Sequence, residues 1–243
     1  MRTMTDTDAD TFLAVSRKAF APLYPFYAAQ FLDHSGITRG RCLDLGCGGG
    51  DLGLAVTARS ALSLILLDRA PTMVQAASQL AAAQGLAGRT LVLEADVHEL
   101  PLAEASVDLI VSRGSLMFWK DLPRAFADIY RVLSGQGRAY IGGGLGSPEM
   151  RQAICREMAK HDSNWRPDGP PPPRPGTDPG RHAHYDISRN IARYDRNDKI
   201  KPVNEKEVDF LLGIVTGSGG LCLSDTSVAL QYALNALRKK EEA

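Results

Sequence analysis

Three aspartates and a run of glycines carry the chemistry legible in this sequence. Asp44 and the glycines Gly46, Gly48, Gly49, Gly50 and Gly53 stand together, with Cys47, in Leu43-Asp44-Leu45-Gly46-Cys47-Gly48-Gly49-Gly50-Asp51-Leu52-Gly53. Asp68 closes the run Leu64-Ile65-Leu66-Leu67, and Asp96 follows Leu91-Val92-Leu93. If these runs are successive strands of a parallel sheet, all three carboxylates face one crevice at the strands' carboxyl ends, where such sheets bind ligands. A diol, an exocyclic amine and an ammonium group all donate to a carboxylate. The glycines allow a tight turn and let a ligand approach the main chain, whose N–H groups can hold a carboxylate or phosphate. Each aspartate alone is equally well explained as a helix cap or a loop residue. Their joint placement is what points to a site.

Two ligands compete for it. Gly48-Gly49-Gly50-Asp51-Leu52-Gly53 satisfies G-x-G-x-x-G, and Asp68 lies 20 residues after Gly48, as in a nicotinamide dinucleotide fingerprint. Asp44, two residues before Gly46, opposes that reading, because the dinucleotide motif runs an apolar strand into its first glycine. Asp96 is a second acid for which a dinucleotide fold has no general need. On the substrate side, Arg113 in Ser112-Arg113-Gly114-Ser115 suits either an acidic substrate group or bracing of its own loop. Phe118 and Trp119 read as core or as a cofactor wall, and Gly142-Gly143-Gly144 leaves room for a ligand or marks a bulge. Tyr24 and Tyr27 suit a cover over the site or core packing. His161, His182 and His184 read as solvated histidines, with neither a cysteine nor an HxxxH partner, and no metal site is expected.

The elements that must position these residues follow from periodicity. Residues 11–35 carry apolar side chains at three- and four-residue spacings, one or two helices interrupted near Pro22 and Pro25. Between Arg41 and Ile141 short apolar runs alternate with helical stretches; the runs are Cys42–Leu45, Leu64–Leu67, Leu91–Leu93, Val107–Val111 and Arg138–Ile141. This alternation predicts a parallel sheet with helices on both faces. One helix starts at Pro71 and carries Val74, Ala77, Leu80 and Ala81 on one stripe. Another has Asp121 as N-cap and Leu122, Ala125, Phe126, Ile129 and Leu133 on its stripe. After Gly144 the alternation breaks. Residues 147–162 suit a helix, whereas 163–203 hold Pro170-Pro171-Pro172-Pro173 and many charges, so 145–203 reads as an insertion and substrate lid. A helix from Asn204 and two runs, Leu221–Val228 and Ala229–Leu237, would close the sheet with a hairpin. The whole of 1–243 reads as one domain, with 1–40 as its N-terminal helical segment.

Asp44-Leu45-Gly46-Cys47-Gly48-Gly49-Gly50, Asp68-Arg69, Glu94-Ala95-Asp96-Val97-His98 and Ser106-Val107-Asp108, in this order and spacing, resemble the class I S-adenosylmethionine-dependent methyltransferases over roughly residues 20–144 and the closing hairpin. The similarity is nearest to the small-molecule group of ubiquinone and menaquinone biosynthesis methyltransferases. It implies an α/β, Rossmann-like fold with a mostly parallel seven-stranded sheet closed by an antiparallel hairpin. It also implies S-adenosyl-L-methionine as cofactor, with S-adenosyl-L-homocysteine as product. By the same resemblance Asp44, Gly46, Cys47, Gly48 and Gly50 hold the amino-acid end, Asp68 the ribose hydroxyls with Arg69 beside the adenosine, and Asp96 and Val97 the adenine; Arg113 joins the cofactor residues. Arg131-Val132-Leu133-Ser134-Gly135-Gln136-Gly137 stands where the family has Leu-Lys-Pro-Gly-Gly and lacks the proline.

The expected activity is methyl transfer to a small-molecule acceptor by in-line displacement, with no catalytic residue assigned. His98 or a residue from the insertion is the candidate base if the acceptor arrives protonated. An NAD(P)-dependent oxidoreductase and an inactive cofactor-binding module are the alternatives. With 28 Lys+Arg against 28 Asp+Glu, a polyanionic partner such as nucleic acid is disfavoured. The acidic N-terminus and the absence of a long apolar run predict neither a signal peptide nor a membrane span. Four cysteines without paired spacing fit a reducing cytoplasm.

Overall fold

The computed structural model describes residues 6–161. Two helices come first, α1 (Asp6–Ala19) and α2 (Leu23–Ser35). Five strands follow: β1 (Arg39–Leu45), β2 (Ala61–Asp68), β3 (Thr90–Glu94), β4 (Val107–Arg113) and β5 (Leu133–Gly142). Between and after them lie α3 (Asp51–Thr57), α4 (Pro71–Ala83), α5 (Leu122–Val132) and α6 (Pro148–His161). The strands are all parallel and stand in the order β3-β2-β1-β4-β5. The strand order reverses between β1 and β4, so the crevice of the sheet opens at their carboxyl ends. The proposed closing hairpin, the helix from Asn204 and residues 162–203 of the proposed insertion lie outside the described residues.

The apolar runs form strands buried on both faces because helices cover both. Alternation sends Leu43, Leu45, Ile65, Leu67, Ile110 and Ile141 to one side, where α5 packs with Ala125, Phe126 and Ile129. Cys42, Leu64, Leu66, Leu109, Val111 and Tyr140 face the other, against α2, α3, α4 and α6. There Phe31 stacks on Tyr140 with centroids 4.6 Å apart. Ile154 and Met158 bring α6 into the same core. The first helical region breaks before Leu23, and Pro25 is absorbed in the first turn of α2, where no intrahelical N–H is missed.

β5 departs from expectation. Leu133 completes the helical stripe in sequence, yet the helix ends at Val132 and Leu133 already pairs with Val107. The next pair is Leu109 with Arg138, so β5 bulges over Ser134–Gly137. Asp108 holds the bulge, accepting the Ser134 hydroxyl at 3.1 Å and the Arg41 N–H at 2.8 Å.

Candidate functional site

β1 ends in a buried acid. Asp44 is 2 % exposed, and its Oδ2 accepts the Gly53 N–H at 2.8 Å. Burial raises the carboxyl to about 7; the Gly53 N–H opposes this, and the charges of Asp68 and Asp51 add to it. The loop that follows takes left-handed backbone at Gly46 (φ 61°), Gly48 (φ 53°) and Gly50 (φ 84°), conformations that glycine adopts without strain. A Cβ at Gly46 would sit 2.6 Å from the Ser115 Cβ, whereas one at Gly48 would meet nothing within 4 Å. Burial pushes the Cys47 thiol well above its ordinary value, so it is no thiolate nucleophile.

The loop is pinned to β2. The Cys47 N–H donates to the Leu67 carbonyl at 3.0 Å, and the Gly48 N–H donates to Asp68 Oδ2 at 2.9 Å. Asp68 Oδ1 accepts the Ala70 N–H at 2.9 Å. Each carboxylate oxygen keeps a further lone pair for a ligand. Arg69 is exposed beside it.

Asp96 is exposed one strand further on and accepts the His98 backbone N–H at 2.9 Å and the His98 ring Nδ1–H. Partial desolvation would raise its pKa, but the His98 N–H groups and the charge of Arg69 outweigh it and hold Asp96 below the usual carboxylate range. Val97 is buried. The other ring nitrogen of His98, Nε2, accepts the Asp121 N–H at 3.1 Å. Both ring nitrogens of His98, a candidate base in the sequence, are thus engaged, one with Asp96 and the other with the Asp121 N–H. Arg131 and Asp128 of α5 anchor the same stretch: Arg131 donates to the carbonyls of Leu102 (2.7 Å) and Leu100 (2.9 Å), and Asp128 accepts the Leu100 N–H.

Ser112 and Ser115 were given no role by their sequence. Their hydroxyls converge on the Leu45 carbonyl at 2.7 and 3.2 Å and lie 2.6 Å from each other. They clamp the end of β1 to that of β4, and Ser115 fills the space beneath Gly46. Only their three-residue spacing after an apolar run hinted at this, and the partner is 67 residues away from Ser112.

The N-terminal helices complete the wall. In α1, Leu13 and Arg17 lie against Gly49, and Arg17 reaches Asp51 at 3.8 Å. Tyr24 sits among Ser16, Asp51 and Arg113, its hydroxyl pushed up to about 12, chiefly by burial and then by the Asp51 charge. Tyr27 is core, and its Oη accepts the Gly146 N–H at 3.1 Å. Trp119 is core as expected, packing edge-on to Phe126. Phe118 corrects the core reading: it is 52 % exposed, because the short 3-10 turn Leu116–Phe118 points it off the sheet. His161 ends α6 beside Glu157 at 3.5 Å. His182 and His184 lie outside the described residues.

Among the described residues no group of three His, Cys, Asp or Glu side chains is placed to hold a metal. No helix there is long and apolar enough to cross a membrane.

A methyltransferase-domain family profile matches residues 43–141, from the start of the glycine motif to the end of β5. The crystal structure of a Methanococcus maripaludis protein assigned as an S-adenosyl-L-methionine-dependent methyltransferase is 38% identical, with TM-score 0.65, covering 68% of this chain and 75% of that one. A malonyl-(acyl-carrier protein) O-methyltransferase from Methylovorus sp. is 37% identical over 102 residues, 39% of this chain and 33% of the relative. A ubiquinone/menaquinone biosynthesis C-methyltransferase from Geotalea daltonii is 34% identical over 104 residues, 42% of this chain and 44% of the relative. The chain thus spans between a third and a half of these two curated relatives. It belongs to the S-adenosyl-L-methionine-dependent methyltransferase family, and its sheet has the Rossmann-like architecture that the resemblance implied.

Proposed function

We propose that this protein transfers a methyl group from S-adenosyl-L-methionine to a small-molecule acceptor. The observation that carries the reading is the row of Asp96, Asp68 and Asp44 at or just beyond the carboxyl ends of β3, β2 and β1, neighbours in the sheet, with the glycine loop beside them. The residues fit such a cofactor. Asp68 has lone pairs to spare for a diol, Asp96 is open to an exocyclic amine, Asp44 is a buried acid suited to an ammonium group, and the open space over Gly48 admits a ligand to the main chain. When bound, the cofactor supplies a methyl group already activated on a sulfonium.

The chain's own part is to orient and to exclude water. Gly46, Cys47, Gly48 and Gly50 shape the amino-acid end, Asp68 and Arg69 the ribose side, and Asp96 and Val97 the adenine side. Aligning two reactants removes several kcal/mol of barrier without a catalytic group, which fits a site whose one histidine near the crevice, among the described residues, has both nitrogens engaged. The ubiquinone/menaquinone biosynthesis relative supports a small-molecule acceptor. We also place the protein in the cytoplasm, which the free thiols of Cys42, Cys47 and Cys155 support.

Calorimetry on the full chain tests the assignment. S-adenosyl-L-homocysteine should bind in the micromolar range or tighter, near ~8 kcal/mol, and NAD(P) at least ~100-fold more weakly. Tight dinucleotide binding without S-adenosyl-L-homocysteine binding would overturn it.

A further inference from the structure

Arg113 ends β4 with its guanidinium between aromatic rings. The charge lies 4.9 Å from the Phe20 centroid, with Tyr24 and Tyr27 also close enough to influence it. A desolvated cation is expensive unless an anion faces it. Among the described residues, however, no carboxylate comes within ion-pair distance of Arg113. One carbonyl answers it, Gly144 O at 2.7 Å from Nη2. The Nε–H is buried and has no acceptor among the described residues.

The carbonyl and the ring fix the guanidinium plane, so the unused Nε–H is held in place. Arg113 also lines a small, half-open cleft with Tyr27, Phe31, Ser112, Tyr140, Gly142 and Gly143, whose enclosed space is about that of one water molecule. A Cβ on Gly143 would meet nothing within 4 Å, so Gly143 borders open space. Loop bracing alone uses one Nη and leaves the Nε–H without an acceptor among the described residues. A side-on guanidinium fork, Nε–H with an Nη, matches the two oxygens of a carboxylate.

We propose that Arg113 is the receptor for an oxyanion carried by the methyl acceptor, so that the acceptor is a carboxylate or a similarly charged small molecule. The assignment rests on the methyltransferase reading. It moves Arg113 from the cofactor residues, where the resemblance put it, to the acceptor, because the cleft lies at β4 and β5, while the three aspartates proposed for the cofactor belong to β1, β2 and β3 on the other side of the strand reversal. The cofactor's own carboxylate has the same chemistry, and the experiment separates the two sources.

The test uses the full chain with 15N-arginine, its Arg113 Nε–H resonance identified by its loss in Arg113→Gln. Acetate and benzoate, with acetamide and benzamide as neutral controls, are titrated into the S-adenosyl-L-homocysteine complex. The carboxylates should move the Arg113 resonance saturably and the amides should not. Arg113→Gln should weaken benzoate binding at least about tenfold while S-adenosyl-L-homocysteine and its decarboxylated analogue bind within about two-fold of wild type. Arg113→Lys, which keeps the charge and loses the fork, guards against misfolding and should also lose benzoate. A resonance that ignores both carboxylates overturns the proposal. So does a tenfold loss of S-adenosyl-L-homocysteine affinity that spares the decarboxylated analogue, since the anion would then be the cofactor's. A wild-type chain that does not bind S-adenosyl-L-homocysteine refutes the underlying reading instead, whereas normal binding with a silent Arg113 refutes only this proposal.

Discussion

Asp44→Asn separates what the buried acid costs the fold from what it does for a ligand. The folded protein keeps the Asp44 proton up to about pH 7, while the unfolded chain releases it near about 4. Between those values the native state binds more protons, so the Asp44 contribution to stability falls as pH rises through that window and is constant outside it. At about 1.4 kcal/mol per pH unit, the loss comes to about 4 kcal/mol by pH 8. Asparagine keeps a carbonyl oxygen for the Gly53 N–H and cannot ionise, but its amide N–H groups enter a buried place at a cost of about 1–3 kcal/mol. The ligand-free variant should therefore be less stable than wild type at pH 4 and more stable by about 1–3 kcal/mol at pH 8. Urea unfolding of both proteins across pH 4–8 measures this, and the difference between the curves removes the titration of every other group. A difference that stays flat with pH, or that grows in favour of wild type as pH rises, would refute the burial argument. The same variant should bind S-adenosyl-L-homocysteine more weakly at pH 8, because the ammonium loses its carboxylate.

Asp68→Ala removes two proposed bonds to ribose hydroxyls and should weaken S-adenosyl-L-homocysteine binding at least about tenfold by calorimetry; an unchanged dissociation constant would move the ribose site elsewhere. Because the same carboxylate accepts the Gly48 and Ala70 N–H groups, stability in urea should also drop by about 1–3 kcal/mol. Gly46→Ala and Gly48→Ala share the strain of a left-handed alanine, about 1–2 kcal/mol, but only the first drives a methyl into Ser115. Gly46→Ala should thus cost about 1–3 kcal/mol more in unfolding experiments, while Gly48→Ala should act mainly on ligand affinity; equal unfolding costs would contradict the loop geometry.

The strands and their order of use were legible because a sheet covered on both faces writes itself as short apolar runs. Asp121 as a cap and the stripe on α4 were local signals of the same kind. What the sequence concealed depends on partners far along the chain. Leu133 fits the helix stripe as well as it fits β5, and only the pairing with Val107 and the Asp108–Ser134 bond decide for the strand. The Ser112 and Ser115 clamp needs Leu45, and the tautomer of His98 needs Asp121. Phe118 has the composition of a core residue, and the turn that exposes it is set by backbone hydrogen bonds that hydropathy does not record. The three aspartates were found because each stands at the end of a run or close to it: Asp44 inside the first, Asp68 directly after the second and Asp96 three residues past the third.

A carboxylate that shapes its own loop leaves evolution little freedom. Asp68 holds the Gly48 and Ala70 amides whether or not a ligand is present, so any drift at this position toward a basic or small residue, as a phosphorylated ribose would demand, strands two backbone donors at once. Against a total stability of about 5–15 kcal/mol, that is a deep valley between neighbouring genotypes. New specificities in this lineage should therefore arise around the proposed acceptor cleft, where Gly143 can gain a side chain, and not by retuning β2.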